Sequence, residues 1–407
     1  MESMTTPKTT TNTTCCIVGG GPGGLMLALL LGRAGIPVIL LEARKDFDRD
    51  FRGDSVNPSV MLVMDQIGLA EKLHELPHAR IGQITLRTPF GSHMVTDYSI
   101  LKTKYPYITV MPQVQFLNVL AKEAESLPSC RIERNAPVVE LIEEDGSVKG
   151  VRYKRGEEWH EVRSSLVVGA DGRASRVRRM AGIELAHQYP QVFDVLWFRL
   201  PRNPLIPKHA NLGCYFGKGY YFALSDRFDY WQVAYVIPKG AYQELRSRGM
   251  ESFRRSIQDL APEFASGVAS IESWDQLSVL SVRMARVDKW YRPGLLLIGD
   301  AAHVMSSVGG VGISCAIQDA VSAFNLLSPA LRTGLASVRD LAAVQRQREW
   351  PIRIMQFLQR MSERSLVARA VDVGRPFKVP LSLRLPFMKR LTAAVIAYGI
   401  HSVRVRN

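Results

Sequence analysis

Cys15-Cys-Ile-Val-Gly-Gly-Gly-Pro-Gly-Gly-Leu-Met-Leu-Ala-Leu-Leu-Leu31 is the stretch that decides the fold. A short apolar run meets a cluster of glycines, and an apolar run of helical length follows. The pattern predicts a buried strand, a tight glycine turn and an apolar helix. The helix is expected to end near Gly32 to Gly35, with Gly35 just past the end. Pro37-Val-Ile-Leu-Leu41 reads as a second buried strand. The three pieces form a β-α-β unit with parallel strands and a right-handed crossover.

Within this unit Gly19, Gly21 and Gly24 have the spacing G-x-G-x-x-G. The first allows the turn, the second lets backbone N–H groups approach a pyrophosphate, and the third lets helix and strand pack closely. The helix N-terminus that follows adds unpaired donors and a positive dipole end, and Pro22 is counted among the cofactor-binding residues. Glu42 closes the second strand, 18 residues after Gly24, where a carboxylate can accept a ribose hydroxyl; Ala43 and Arg44 follow it. Together these features point to a dinucleotide, without separating FAD from NAD.

Outward from the unit, helices are expected from Ser59 to Leu69 and from Gln113 to Ala124. Strands are expected at Val138–Ile142, Val148–Tyr153 and Trp159–Val168, with Asp145-Gly146 as a hairpin turn. Asp194–Leu200, Gly213–Leu224 and Tyr230–Ile237 are rich in aromatic and β-branched residues, and they suggest an antiparallel sheet. Leu295–Ile298 is one more buried strand, Ile313–Leu327 begins a helix, and the chain beyond Asp340 reads as mostly helical.

Two further motifs follow buried strands. Val167-Val-Gly-Ala-Asp-Gly-Arg-Ala-Ser175 carries Asp171-Gly172. Leu297-Ile-Gly-Asp-Ala-Ala-His303 carries Asp300, ahead of Gly309-Gly-Val-Gly312 and a helix. With the first glycine motif, these resemble the three fingerprints of flavoprotein monooxygenases of the para-hydroxybenzoate hydroxylase type, over about residues 14–330. The resemblance implies FAD, with NADPH or NADH as a transient co-substrate and O2 consumed. It assigns Asp300 to the ribityl chain, and Gly310, Val311, Gly312 and Ile313 to the flavin pyrimidine edge. It assigns Arg52 to the pyrophosphate, Gln113 to the diphosphate or ribityl part, and Asp171 and Gly172 to a bridge between FAD and NAD(P)H. Val138 joins the same cofactor set. The implied reaction is hydroxylation or epoxidation of an apolar, aromatic small molecule through a flavin C4a-hydroperoxide. The flavin carries that chemistry, so no side chain is named as catalyst. The sequence departs from the family at Ser306-Ser307, where proline is usual, and at Ser314, where asparagine is usual. A serine keeps the carbonyl but loosens the backbone. His303 reads as a packed histidine rather than a base.

Tyr230-Trp-Gln-Val-Ala-Tyr-Val-Ile-Pro238 alternates, placing Trp231, Val233 and Tyr235 on one face. The segment resembles the W-x-W-x-I-P pattern of flavin-dependent halogenases, with Tyr235 in place of the second Trp and no convincing catalytic lysine. Tyr221, Trp231 and Tyr235 are candidate walls of a substrate pocket, or ordinary sheet core.

The expected architecture is α/β: a Rossmann-like FAD-binding domain with an inserted mixed β-sheet substrate domain and a helical C-terminal region. Residues 1–14 are read as a disordered leader. Residues 15–80, 107–185 and 286–345 form the FAD-binding domain, 81–106 and 186–285 the substrate domain, and 346–407 a basic helical region. The 407 residues carry a net charge of +14. Of this, +10 lies beyond residue 345, where 13 basic residues face Glu349, Glu363 and Asp372. The body is close to balanced, which argues against nucleic acid as a partner. Phe387, Leu391, Val395 and Tyr398 recur at helical spacing beside Lys389 and Arg390. That pattern fits either a helix packed on the FAD-binding domain or one lying on anionic lipid. No stretch reads as a membrane span. Five cysteines without C-x-x-C spacing give neither a metal site nor a disulfide framework and suit a reducing cytoplasm. The alternatives to a monooxygenase are a flavin oxidase or dehydrogenase, a halogenase, and a membrane-surface binding protein with structural FAD.

Overall fold

The computed structural model describes residues 7–48, 55–203, 212–227, 229–374 and 376–406. Its central sheet places Thr9–Val18 between Glu158–Gly169 and Val38–Leu41, all parallel. Leu295–Leu297 adds in parallel beyond Glu158–Gly169, and Cys130–Glu133 beyond Val38–Leu41. Parallel strands covered on both faces must be apolar throughout. Cys15 to Val18 and Val38 to Leu41 are accordingly all buried. The first strand begins at Thr9, where Thr9 pairs with His160. Residues 9–14 are therefore part of the sheet, not of a leader, because the long strand Glu158–Gly169 offers a free edge that their backbone completes.

The helix Pro22–Arg33 covers one face. Ala34 is its C-cap and Gly35 follows with φ +73°, the left-handed stop that the sequence predicts. The hairpin Val138–Glu144 and Ser147–Arg155 turns at Asp145 (φ 50°) and Gly146 (φ 72°). Two consecutive positive φ values are what a two-residue turn needs to match strand twist.

A seven-stranded sheet stands against this layer. Its order is Ser278–Leu280, Phe193–Pro201, Tyr230–Pro238, Tyr221–Asp226, Leu212–Phe216, Gln83–Thr88, Gly91–Asp97. The segment read from sequence as one piece, 213–224, is two antiparallel strands joined at Gly217–Tyr220. One face of this sheet is a packed core. Trp231, Val233, Tyr235, Phe198 and Phe222 meet Phe253 and Ile257 of the helix Met250–Gln258 there. The other face turns toward the central sheet.

The helix Gly312–Arg332 packs on Pro22–Arg33 and on Val338–Ser362. The stretch 308–332 is long and apolar enough to cross a membrane by length and composition, a feature the sequence reading passed over. It is mostly buried within the protein, as the central helix of a folded domain is. The helix Pro386–Tyr398 buries Ala393 and Ala397 against Tyr98 and Ile108 and leaves Phe387 and Leu391 exposed. Its small residues, rather than Phe387 and Leu391, make the close contact.

Candidate functional site

A cavity of about 1610 Å³ lies between the two sheets. The G-x-G-x-x-G turn forms one end of it. Each glycine answers a different demand. A Cβ on Gly19, at φ +109°, would fall 2.5 Å from the carbonyl oxygen of Ala170. One on Gly24 would fall 2.0 Å from that of Gly19. One on Gly21 would meet nothing nearer than 3.9 Å. Gly21 is the N-cap of the helix Pro22–Arg33, and no side chain caps it. The helix Gly312–Arg332 likewise starts without a side-chain cap or an acidic residue in its first turn, and Gly310, Val311, Gly312 and Ile313 line the same cavity. Two uncapped helix N-termini thus open on one space. Their free N–H groups and positive dipole ends suit an anionic or electron-rich ligand.

Glu42, only 5% exposed, accepts hydrogen bonds from Gly20 N (2.8 Å) and Arg44 N (2.9 Å). These bonds hold the carboxylate at the cavity wall, with Ala43 and Arg44 beside it. Pro22, Gln113 and Val138 line the same end, and Gln113 is the first residue of the helix Gln113–Glu125. Asp171 and Gly172 line it as well. The Asp171 carboxylate is engaged: it accepts from Arg176 N (2.6 Å), Val177 N (3.1 Å) and the Ser175 hydroxyl. It therefore starts the helix Arg176–Met180. Arg52 lies outside the described residues.

Asp300 sits on a single 3-10 turn, Gly299–Ala301, reached through Gly299 at φ +58°. The turn is held from behind by a cluster that the sequence reading missed. Asp319 is fully buried in the helix Gly312–Arg332 and accepts from Gly299 N (2.9 Å), His303 Nε2 (2.6 Å) and Arg348 Nε (2.8 Å). Burial alone would raise its carboxyl. His303 and Arg348 outweigh that and hold it below the ordinary aspartate range. His303 also packs on Trp290, with ring centroids 4.8 Å apart. It is a structural histidine, as its motif position suggests. The one signal for the cluster was a lone aspartate inside an apolar helical run.

The substrate-wall candidates divide. Tyr221 lines the cavity. Trp231 and Tyr235 do not, and this corrects the sequence reading: both are 1% exposed within the core on the far face of their sheet. Side chains alternate along a strand, so Gln232, Ala234 and Val236 face the cavity instead. Val195 and Trp197 join them from the neighbouring strand, and the indole N–H of Trp197 is buried without a hydrogen-bond partner. Leu391, Val395 and Ile396 of Pro386–Tyr398 line the opposite side. No cluster of His, Cys, Asp or Glu suited to a metal occurs among the described residues. All five cysteines are buried, and burial pushes Cys15, Cys214 and Cys315 up to about 12. None is poised as a thiolate.

A family model described as FAD binding domain matches residues 12–356. The chain belongs to this FAD-binding family. It is an FAD-dependent oxidoreductase of the monooxygenase type. Its relatives include 6-methylpretetramide 4-monooxygenase of Streptomyces rimosus, 33% identical over 94% of this chain and 91% of the relative. Para-nitrophenol 4-monooxygenase of Pseudomonas sp. (strain WBC-3) is 26% identical over 78% of each. Among solved structures, PqsL of Pseudomonas aeruginosa in complex with 2-aminobenzoylacetate superposes with a TM-score of 0.77. It is 23% identical, and the match covers 89% of this chain and 99% of that one; this likeness concerns the fold.

At its two departures from the family pattern, this FAD-dependent monooxygenase behaves differently at each. Ser314 does not line the large cavity; it faces a small separate pocket beside Gln318 and Arg348. Ser306 and Ser307 do line the large cavity. Gln359 braces the backbone there through its side-chain amide. Its Oε1 accepts from Ser306 N (3.2 Å), and its Nε2 donates to the carbonyls of Ser306 (3.0 Å) and Val308 (2.7 Å). Gln359→Ala removes the partner of three backbone groups, two of them buried. It is expected to lower unfolding stability by about 1–3 kcal/mol, read from the midpoint of urea denaturation.

Proposed function

We propose that the chain is an NAD(P)H- and O2-consuming FAD monooxygenase that hydroxylates or epoxidises a hydroxyl-bearing aromatic small molecule, one of several fused rings. The observation that carries this reading is the continuity of the glycine-lined end of the cavity with an apolar wall built by Val195, Trp197, Tyr221, Ala234, Val236 and Leu391. Ordinary small-molecule pockets enclose roughly 300–1,000 Å³, so about 1610 Å³ leaves room for a dinucleotide and a ring system together. The names of the relatives at 33% and 26% identity, which act on a pretetramide and a nitrophenol, support an aromatic substrate.

The residues fit FAD. The uncapped amides after Gly21 receive the pyrophosphate, with Gly19, Pro22 and Gln113 around it. Glu42 takes a ribose hydroxyl, beside Ala43, Arg44 and Val138, and Asp300 takes the ribityl chain. The N-terminus of Gly312–Arg332, with Gly310, Val311 and Ile313, stabilises negative charge on the pyrimidine edge. Asp171 and Gly172 mark where the nicotinamide cofactor approaches. Bound FAD supplies the redox chemistry, accepting hydride from NAD(P)H and activating O2 for transfer to the substrate. The protein's part is to orient the ring, exclude water between the sheets and hold protons in place.

Anaerobic mixing of the purified holoprotein with NADPH or NADH should bleach the flavin spectrum. Admitting oxygen-18 gas with an aromatic substrate should then place one labelled oxygen atom in the product. Reoxidation with no label in any product would replace this reading with an oxidase. Asp300→Ala is expected to release FAD from a protein that stays folded; unchanged FAD affinity in the purified variant would remove Asp300 from the cofactor site.

A further inference from the structure

Ser306 has a second role open to it. Its side chain is 3% exposed yet borders the cavity, and its hydroxyl donates to Glu363 Oε1 at 2.5 Å. Glu363 is itself 2% exposed. A carboxylic acid is almost never buried this deeply without an ion-pair partner. Among the described residues its side chain has one hydrogen bond, which leads through the Ser306 hydroxyl to the cavity wall. Glu363 also opens a five-residue π turn, Glu363–Val367, at the end of Val338–Ser362. Such turns are rare and concentrate at functional sites. Gln359, one turn earlier, fixes the Ser306 backbone from both its N–H and its carbonyl. The serine is thereby held in place relative to the acid.

Among the described residues, Arg360 and Tyr221 are the charged or titratable groups that act on Glu363 or feel it. Arg360, on the same helix, draws its carboxyl down, but sits over the ring of Tyr189 at 4.3 Å. Tyr221, across the cavity wall, is pushed up in part by Glu363. Burial outweighs Ser306 and Arg360 and raises the Glu363 carboxyl above its ordinary range.

We propose that Ser306 and Glu363 form a two-member relay that takes the proton of an aromatic hydroxyl group on the substrate. Ser306 touches the substrate and Glu363 is the positioning residue that holds the proton behind it. The substrate O–H bond breaks as its proton passes to the Ser306 oxygen. The Ser306 proton passes in turn to the Glu363 carboxylate, leaving a phenolate, an unchanged serine and a neutral acid. No electrons move. The phenolate ring is the more electron-rich one, which favours attack by an electrophilic oxygen. The assignment rests on the phenolic reading of the substrate given above.

The test uses the oxidised holoprotein without NAD(P)H and 2,6-dihydroxyanthraquinone, a fused-ring phenol whose ionisation is visible on the long-wavelength side of the flavin bands. Titrated against pH, the bound probe is expected to ionise on the unmodified protein at a lower pH than free in solution. In Glu363→Gln and in Ser306→Ala the midpoint is expected to rise by about one pH unit or more, with FAD content unchanged. Glu363→Asp, which keeps the carboxyl, should return it part of the way. Equal midpoints in the unmodified protein and Glu363→Gln, with only affinity altered, would overturn the relay and leave the monooxygenase reading standing. Failure of the FAD-loaded unmodified protein to bind the probe would overturn the relay and the phenolic substrate together. Oxygen-18 incorporation would still report on oxygen transfer.

Discussion

Asp319→Ala is expected to lower unfolding stability by about 3–5 kcal/mol, the usual cost of leaving a buried charge without its partner. The side chain removed is small, so packing contributes little of this. The loss comes from Arg348, 2% exposed, and His303, 1% exposed, which remain in the interior without their acceptor. Urea denaturation should show a large drop in midpoint. The same change frees Gly299 N, so the turn bearing Asp300 loses its anchor, and FAD affinity should fall with stability. A midpoint within about 0.5 kcal/mol of the unmodified protein, the range of an ordinary surface substitution, would refute the role of the cluster. The pH dependence follows from the depressed carboxyl. Its stabilising contribution is complete above the unfolded aspartate value of about 3.9. It is lost as pH falls through the lower folded value. Asp319→Ala should therefore flatten the acid limb of the stability curve.

The second large effect separates two glycines of one motif, Gly21 and Gly24. Gly21→Val is expected to leave the apoprotein close to normal stability and to abolish FAD binding. Gly21 has φ −77° and ψ 180°, which valine adopts readily, and a Cβ there meets only the Ala170 carbonyl, at 3.9 Å. The space is needed by the ligand, not by the fold. Gly24→Ala should damage both, because its Cβ would lie 2.0 Å from the Gly19 carbonyl and would force helix and turn apart. Overpacking of this kind costs about 1–3 kcal/mol. Flavin absorbance of the purified proteins and their thermal midpoints separate the cases. A yellow Gly21→Val protein would show that no pyrophosphate lies against this residue.

Much of this site was legible because local chemistry dictated it. A strand, a glycine turn and an uncapped helix start are written in consecutive residues, and so are Gly299-Asp300 and the hairpin at Asp145-Gly146. What stayed hidden depended on distant partners. Asp319 and Arg348 lie on separate helices, 19 and 48 residues beyond Asp300, and no local period announces that they meet. The Gln359 clamp on Ser306 spans a similar gap. Alternation in Tyr230–Pro238 correctly sorted the side chains into two faces. It carried no information on which face the helix Met250–Gln258 would cover, so the aromatic face stayed open between pocket wall and sheet core; its packing on Phe253 and Ile257 makes it core. In Pro386–Tyr398 the large apolar residues drew attention, while close packing selected Ala393 and Ala397.

The position of Thr9–Val18 in the middle of its sheet has a consequence for biosynthesis. A ribosome adds Val38–Leu41 to one side of it early, but the strand on its other side ends only at Gly169. Until then a nascent chain carries Cys15 to Val18 with one backbone edge bare, a template for pairing with other chains. The last parallel neighbour, Leu295–Leu297, emerges later still. Contacts so far apart in sequence make for slow folding and a long exposure to aggregation. Yield in a heterologous host should therefore respond more to slower translation and chaperone supply than to surface charge.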